Sequence, residues 1–239
     1  MIKGYIKQIE TMGIFDGPGI RTVIFMQGCP LRCLYCHNPE MWVMKDSKSY
    51  TPEEIVNIVL KYKNYFKEDG GVTFSGGEPL SQQEFLLECL KLLKENNINT
   101  CLDTSGVSIN VNLNEEILKY IDLVIFDIKA IDKAKYKYIT NYNIDKSLDF
   151  INLCNKLNKK LWIRSVIVPG INDNDEYINQ LANFIKHLSN IEKIELLPYH
   201  TMGKSKYEKL NIDYKLKDVK QMDNDKCKNL ENKLKELLQ

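Results

Sequence analysis

Short apolar runs rich in β-branched and aromatic residues alternate along the chain with longer segments in which apolar residues recur at helical spacing. Six of the short runs are predicted strands, at residues 22–27, 71–75, 99–103, 123–127, 161–168 and 193–197. Strands that alternate with helices form parallel sheets with right-handed crossovers. The pattern therefore predicts an α/β fold with a partial (β/α)6 barrel of the TIM type.

Three of the intervening helical segments begin with a residue that can cap the first turn. A side-chain oxygen followed three residues later by Glu is the capping-box pattern, and a carboxylate alone is a simpler cap. The predicted starts are Thr51 with Pro52 and Glu54, Ser81 with Glu84, and Asp173. A last amphipathic segment, at about residues 217–237, predicts the helix that closes the chain.

Composition limits the classes of protein that fit. The 239 residues contain no linker or low-complexity tract, so one domain covering residues 1–239 is predicted. Lys and Arg number 33 against 32 Asp and Glu, which leaves no overall field for nucleic acid or an anionic membrane. No apolar stretch approaches the ~20 residues of a membrane span, and no signal-peptide core is present. We expect a cytoplasmic protein without nucleic-acid or membrane partners.

Polar and glycine residues gather near the carboxyl end of each predicted strand. They lie at residues 28–37, 75–79, 103–106, 127–129 and 198–200, with Arg164 inside the fifth strand. The carboxyl ends of parallel strands meet at one edge of a sheet, and the sites of such folds are built there. The sequence therefore predicts a single cavity at this edge.

Three cysteines, Cys29, Cys33 and Cys36, follow the first predicted strand in close succession. A 4Fe-4S cluster normally takes four cysteine ligands, and this segment supplies three. One iron would keep an open coordination position, where a substrate or cofactor binds directly. The spacing thus predicts a catalytic iron-sulfur cluster.

Two other interpretations of the triplet are less favoured. A structural zinc site needs four ligands; no second ligand pair follows, and His37 is adjacent to Cys36, so the two would have difficulty reaching one ion. A disulfide framework does not suit an odd number of cysteines in a chain of this length. The other four cysteines are expected to be small core residues: Cys89, Cys101, Cys154 and Cys227.

The remaining strand-end residues allow both a structural and a functional interpretation. The Gly-Gly-Glu segment at 76–78 either makes a tight turn or lets a ligand approach the backbone, with Glu78 accepting from an ammonium group. Asp127 and Lys129 lie on one face of a strand, and either pair with each other or bind the two ends of an amino acid. His200 is either a loop residue or a ligand-binding residue.

The spacing C-x3-C-x2-C, with Tyr35 before the last cysteine and Gly-Gly-Glu at 76–78, resembles the radical S-adenosylmethionine (radical SAM) superfamily. Further motifs resemble, more narrowly, the glycyl-radical activases that act on pyruvate formate-lyase. These motifs lie at residues 16–21, 27–29, 33–38, 101–104, 162–164, 168–170 and 195–200. The resemblance extends over about residues 4–215 and implies the radical SAM fold, a form of the partial barrel.

The resemblance implies a role for each matching residue. Cys29, Cys33 and Cys36 would hold a 4Fe-4S cluster whose open iron is chelated by S-adenosylmethionine. The implied cofactor-binding residues are Tyr35, Cys36, His37, Gly76, Gly77, Glu78, Asp127, Ile128, Lys129, Arg164 and His200. Also implied are a monovalent cation at Asp103 and Thr104 and a contact with the protein substrate at Asp16 and His37.

The implied reaction is reductive cleavage of S-adenosylmethionine to methionine and a 5'-deoxyadenosyl radical, which abstracts the α-hydrogen of one glycine in pyruvate formate-lyase. Flavodoxin or ferredoxin is the implied electron donor. The short segment 38–50 leaves no room for the ferredoxin-like insertion of larger activases. Three alternatives stay open: an activase of another glycyl-radical enzyme, a radical SAM enzyme acting on a small molecule, and an iron-sulfur electron-transfer protein without catalysis.

Overall fold

The computed structural model describes residues 2–45 and 47–239. The strands in these residues are β1 (Gly4–Gly13), β2 (Arg21–Met26), β3 (Lys48–Tyr50), β4 (Gly71–Gly76), β5 (Asn99–Thr104), β6 (Leu123–Asp127), β7 (Lys160–Ile167) and β8 (Ile191–Pro198). They form one sheet in the order β3-β1-β2-β4-β5-β6-β7-β8. The six predicted strands are present as β2 and β4–β8, each parallel to its neighbour. Because the sheet ends at β3 and β8 without closing, the predicted partial barrel is confirmed.

The sequence pattern does not predict β1 and β3. β1 pairs antiparallel with both β2 and β3, so an antiparallel ribbon extends the parallel part of the sheet. Along β1 the side chains alternate between covered and exposed positions, and Lys7, Gln8 and Glu10 interrupt its apolar residues. A strand with one solvent-exposed face has polar residues at every second position, so it contains no continuous apolar run that would identify it in the sequence.

The described residues form the α-helices α1 (Pro52–Leu60), α2 (Gln83–Glu95), α3 (Asn114–Lys119), α4 (Lys133–Thr140), α5 (Asp145–Lys156), α6 (Asp175–Ile185), α7 (Lys204–Lys209) and α8 (Asn224–Leu238). The predicted capping box of α1 is confirmed. Thr51 Oγ1 accepts a hydrogen bond from Glu54 N at 3.3 Å, and the Glu54 carboxylate accepts one from Thr51 N at 2.8 Å.

The predicted helix start at Ser81 is wrong. Residues Pro79–Gln82 form a short 3-10 helix, and α2 begins only after it. The Glu78 carboxylate caps this turn by accepting a hydrogen bond from Leu80 N at 3.1 Å. The cap therefore comes from a residue that the sequence assigns to the site.

Two further predicted starts are displaced along the chain. Asn174, not Asp173, caps α6, and it accepts a hydrogen bond from Tyr177 N at 2.9 Å. Asp173 accepts from Gly170 N at 2.7 Å and so belongs to the preceding turn. The last helix begins at residue 224 rather than 217, because residues 215–218 form a turn.

The sheet has a large apolar layer under the helices and a smaller one on its inner face. Phe74, Leu102 and Val124 belong to the first and are completely buried. The residues next to them in sequence point the other way, as the period of two requires. The inner cluster consists of Cys101, Leu123, Ile125 and Trp162. All four scattered cysteines are buried, which confirms their predicted place in the core.

Arg21, at the amino end of β2, is completely buried. Its Nε donates to Thr73 Oγ1 at 2.7 Å, and its terminal nitrogens donate to Asn99 Oδ1 and to three backbone carbonyls at 2.9 to 3.0 Å. Thr73 Oγ1 in turn donates to the backbone carbonyl of Asp16 at 2.6 Å. This network anchors the loop that carries Asp16 to β4 and β5.

Candidate functional site

A cavity of about 310 Å³ lies at the carboxyl ends of the parallel strands. Fourteen of the predicted site residues line it, namely Asp16, Cys29, Cys33, Tyr35, Cys36, His37, Gly76, Gly77, Glu78, Asp103, Thr104, Asp127, Lys129 and Arg164. Segments that are far apart in sequence thus meet at the edge of the sheet where parallel folds build their sites.

Two predicted site residues do not line the cavity. Ile128 is buried in the apolar layer under the helices, because its neighbours in sequence occupy the inner face. Its backbone N donates to Arg164 O at 2.8 Å. The His200 ring stacks on the His37 ring with 3.7 Å between centroids, and His37 Nε2 lies 3.2 Å from His200 O. His200 therefore supports His37, a lining residue, from outside the cavity.

Seven lining residues are not predicted from the sequence. They are Phe25, Leu31, Asn38, Ser75, Ser105, Val166 and Leu197. Two of them could have been predicted, because residues two apart in a strand point to the same face. Ser75 precedes Gly77 by two residues, and Val166 follows Arg164 by two. Asn38 and Ser105 are polar and lie in the motif at 33–38 and the strand-end segment at 103–106. Phe25, Leu31 and Leu197 are apolar, and such residues carry no chemical signal in the sequence.

The loop that carries the three cysteines is held by backbone hydrogen bonds to the end of α4. Arg32 N donates to Thr140 O at 2.8 Å, and Leu34 N donates to Ile139 O at 2.9 Å. The Arg32 guanidinium donates back to the carbonyl of Cys29 at 2.7 Å. These hydrogen bonds fix the cysteine loop against α4.

The three thiols are suited to a metal group rather than to a free reactive cysteine. None is in a disulfide. Burial raises the pKa of Cys33 to about 12 and also raises the pKa values of Cys29 and Cys36. Such thiols stay protonated at neutral pH until a cation displaces the protons, so metal binding releases protons here. Thiolates are the ligands of iron-sulfur clusters, and this donor set fits one.

The arrangement of the possible ligands in the described residues does not suit a single metal ion. Within residues 2–45 and 47–239, no three His, Cys, Asp or Glu side chains are grouped so that they could hold one metal ion. Cys29, Cys33 and Cys36 instead share the wall of one cavity.

The glycines of the 76–78 segment allow the backbone of the cysteine loop to pass close to β4. Gly76 has φ +113°, a conformation that L side chains rarely adopt. A Cβ on Gly77 would lie 2.3 Å from the carbonyl oxygen of Gly28. Gly77 N donates to Met26 O and Glu78 N donates to Gly28 O, both at 2.8 Å. Close backbone approach explains these two glycines.

Glu78 is buried, and donors of the protein surround its carboxylate. Oε1 accepts from Thr104 Oγ1 at 2.6 Å and from Leu80 N at 3.1 Å. Oε2 accepts from the Ser105 hydroxyl at 2.6 Å and from Ser105 N at 2.9 Å. This engagement argues against the expected direct contact with an ammonium group. Glu78 instead ties the end of β4 to the end of β5.

Asp127 and Lys129 form an ion pair of 2.8 Å on the cavity wall. The Lys129 ammonium also lies 5.9 Å from the centroid of the Tyr35 ring, within range of a cation–π interaction. Burial disfavours the ammonium, but the Asp127 carboxylate outweighs this cost and raises the pKa of Lys129. Lys129 therefore carries its charge at neutral pH, and the pair lines the cavity.

A second charged group lies beside this pair. Burial and the neighbouring Asp127 raise the pKa of Asp103 to about 7, although Arg164 opposes the shift. Asp103 accepts a hydrogen bond from the Ser75 hydroxyl at 2.8 Å. Arg164 Nε donates to Glu195 at 2.9 Å, and its guanidinium also donates to the carbonyl of Phe15. Arg164 thus connects the strand ends to the loop that carries Asp16.

Asp16 and His37, two further lining residues, also have shifted pKa values. Burial raises the pKa of Asp16, with Arg164 opposing. Burial and the neighbouring His200 lower the pKa of His37 to about 4. His37 is therefore neutral at physiological pH and serves as a hydrogen-bonding and stacking group rather than as a charge.

The sequence model of the Radical SAM superfamily matches residues 23–185. The chain belongs to the radical SAM superfamily. This radical SAM protein is 53% identical over 240 residues to the pyruvate formate-lyase-activating enzyme of Clostridium pasteurianum, with 100% of each chain covered. It is 44% identical over 235 residues to the enzyme of the same name from Staphylococcus epidermidis, covering 95% of this chain and 94% of the other.

The fold of this radical SAM protein also matches solved structures. A domain of pyruvate-formate lyase-activating enzyme from Bacteroides vulgatus superposes with a TM-score of 0.56 at 24% identity, covering 71% of this chain and 92% of the other. The cofactors of the superfamily are a 4Fe-4S cluster and S-adenosylmethionine. In the part of the chain that the structure describes, none of the helices has the length and apolar character needed to cross a membrane.

Proposed function

We propose that this chain activates pyruvate formate-lyase by forming a glycyl radical on it. The observation that carries the proposal is the shared cavity, where three free cysteines of one loop meet acidic and basic side chains of neighbouring strand ends. Full-length relatives at 53% and 44% identity are named for this activity.

The cluster and S-adenosylmethionine, when bound, supply the one-electron cleavage that yields methionine and the 5'-deoxyadenosyl radical, which takes the α-hydrogen of one glycine in the lyase. Cys29, Cys33 and Cys36 would hold the cluster with one iron open. Asp127 and Lys129 offer charges complementary to the amino and carboxylate groups of the methionine part. The adenine would lie along Tyr35, Cys36 and His37.

The protein substrate would enter beside Asp16 and His37, which line the cavity. Phe15 is 79% exposed next to Asp16 and offers the incoming chain an apolar contact. The Arg164 guanidinium holds the carbonyl of Phe15 and so positions this loop at the mouth. A lyase segment seated over this mouth would keep water away from the reactive radical.

Three further assignments complete the proposal. A monovalent cation at Asp103 and Thr104 would offset the repulsion between Asp103 and the neighbouring Asp127. Flavodoxin or ferredoxin would supply the electron. The cytoplasm would be the compartment, because a reducing environment keeps all seven cysteines free.

The test begins with anaerobic reconstitution using iron and sulfide, followed by dithionite and S-adenosylmethionine. We expect 5'-deoxyadenosine and methionine, and on addition of pyruvate formate-lyase a glycyl-radical doublet in the electron paramagnetic resonance spectrum. Absence of 5'-deoxyadenosine would contradict every enzymatic assignment and leave an electron-transfer protein. Formation of 5'-deoxyadenosine without a radical on the lyase would instead indicate another glycyl-radical enzyme or a small molecule as the substrate.

A pair of cysteine variants tests the ligand assignment. Cys33→Ala should lose the cluster absorbance, 5'-deoxyadenosine formation and the radical signal. Cys154→Ala is the matched control because Cys154 is completely buried in the core, away from the cavity. It should retain all three signals. A Cys33→Ala protein that keeps its activity contradicts the assignment.

A further inference from the structure

A second groove lies against the same cysteine loop as the cavity. It has a volume of about 490 Å³ and runs between the cysteine loop, the end of α4 and the segment after α7. Cys33 lines both this groove and the cavity, and no other described residue does. Cys33, a predicted cluster ligand, is therefore the residue that the groove and the cofactor cavity have in common. We name this surface the Cys33 groove.

The wall of the Cys33 groove is firmly built. The backbone on either side of Cys33 is bonded to the last turn of α4, through Arg32 N and Leu34 N. The Arg32 guanidinium lies 5.1 Å from the centre of the Trp42 ring, a cation–π contact at the edge of the groove. A partner that docks here would meet a preformed surface whose lining includes a predicted cluster ligand, Cys33.

The charge of the groove is positive although that of the whole chain is nearly balanced. Its lining contains the cations Arg32, Lys137 and Lys215, and one acid, Asp213. Asp213 is already paired with Lys215 at 2.8 Å. Tyr138 adds an aromatic ring that is 64% exposed. Aromatic residues and arginine among cations are the composition of a docking surface for an acidic protein.

We propose that an acidic electron-transfer protein docks on the Cys33 groove and delivers one electron to the cluster past Cys33. The inference rests on the proposed function. In this step the donor is oxidised by one electron and the cluster is reduced by one, with no bond made or broken. Because Asp16 and His37 line the cavity but not the groove, the donor and the protein substrate would contact different residues and would not compete.

The test uses the double variant Lys137→Glu/Lys215→Glu in the cluster-loaded protein. The matched control is Lys156→Glu/Lys186→Glu, which changes the charge equally at exposed positions at the carboxyl ends of α5 and α6. Binding of flavodoxin, and separately of ferredoxin, is measured by calorimetry at low and high salt. Rates of 5'-deoxyadenosine formation are then measured with each reduced donor and with dithionite, which needs no docking surface.

We expect the groove variant to bind its donor about tenfold more weakly than wild type at low salt, with the difference shrinking at high salt. Its rate with the protein donor should fall in parallel, while its rate with dithionite and its iron content should match those of the control. Equal binding by the two double variants overturns the proposal. The proposal is also overturned if dithionite reduces the wild-type protein but neither flavodoxin nor ferredoxin binds to it. Failure of the proposed function is separate, since it shows as an absent glycyl radical with dithionite.

Discussion

Glu78 accepts a hydrogen bond of 2.6 Å from Thr104 Oγ1, across the ends of two neighbouring parallel strands. The pair joins the Gly-Gly-Glu segment at 76–78 to the segment for which the resemblance implies a monovalent cation. Together with the two bonds from Ser105, this contact makes Glu78 a residue that positions the cavity wall.

Replacing Glu78 by Gln should destabilise the protein by about 2 to 4 kcal/mol, because the new amide group would face hydrogen-bond donors in a buried position. Urea unfolding under anaerobic conditions measures the loss. Glu95→Gln, at an exposed position at the end of α2, should change stability by less than about 0.5 kcal/mol. Equal stability of the two variants would show that the Glu78 carboxylate does not hold the strand ends.

Gly77→Ala should reduce the amount of iron and sulfide that the protein retains. The added Cβ would lie 2.3 Å from the carbonyl oxygen of Gly28, so the cysteine loop must move. Gly170→Ala is the control, since that glycine also has a positive φ but nothing lies within 4 Å of its Cβ position. The control should lose about 1 kcal/mol of stability and retain its full iron content. Full iron in Gly77→Ala contradicts the close approach.

Arg21→Met should cost about 3 to 5 kcal/mol, because it leaves the acceptors around a completely buried guanidinium without donors. Arg21→Lys should recover only part of this loss, since an ammonium cannot reproduce the fork of donors. The chemical denaturation midpoint of each variant is the measurement. A fully stable Arg21→Met protein would mean that the loop carrying Asp16 is held by other contacts.

Glu231 should make stability depend on pH below about 4.5. Burial alone would raise its pKa, but Lys228, Lys235 and the backbone N of Leu196 lower it to about 2. A carboxylate with a depressed folded-state pKa stabilises the fold above its unfolded value of 4.5, and this contribution disappears as pH falls toward 2. Glu231→Gln should therefore be less stable at neutral pH by about 1 to 2 kcal/mol, a figure reduced for solvent screening.

Urea unfolding of the metal-free protein across this pH range checks the effect of Glu231. The difference between Glu231→Gln and wild type should vanish near the acid end. Glu236→Gln, at an exposed position of the same helix, should follow wild type at every pH. A constant difference from neutral to acid pH would contradict the linkage.

Much of the fold was predictable because strands and capped helices leave local signals. The six parallel strands and the Thr51 capping box follow from apolar runs and from a four-residue pattern. Ser81 and Asp173 fail as helix starts because several polar side chains near each start can cap it, and the choice depends on contacts with Glu78 and Gly170. A local sequence pattern therefore predicts that a helix is present more reliably than it predicts the residue at which the helix begins.

Sequence alone determined which segments meet at the cavity, since parallel strands bring their carboxyl ends to one edge and those ends carry the polar and cysteine residues. Tertiary structure alone decided what each side chain does there. Glu78 turns to Thr104, Ile128 faces the helices, and His200 stacks behind His37. The physical reason is the distance along the chain over which each signal operates. The hydrophobic pattern reflects residues that are close in sequence, whereas hydrogen-bond partners and burial depend on segments tens of residues away.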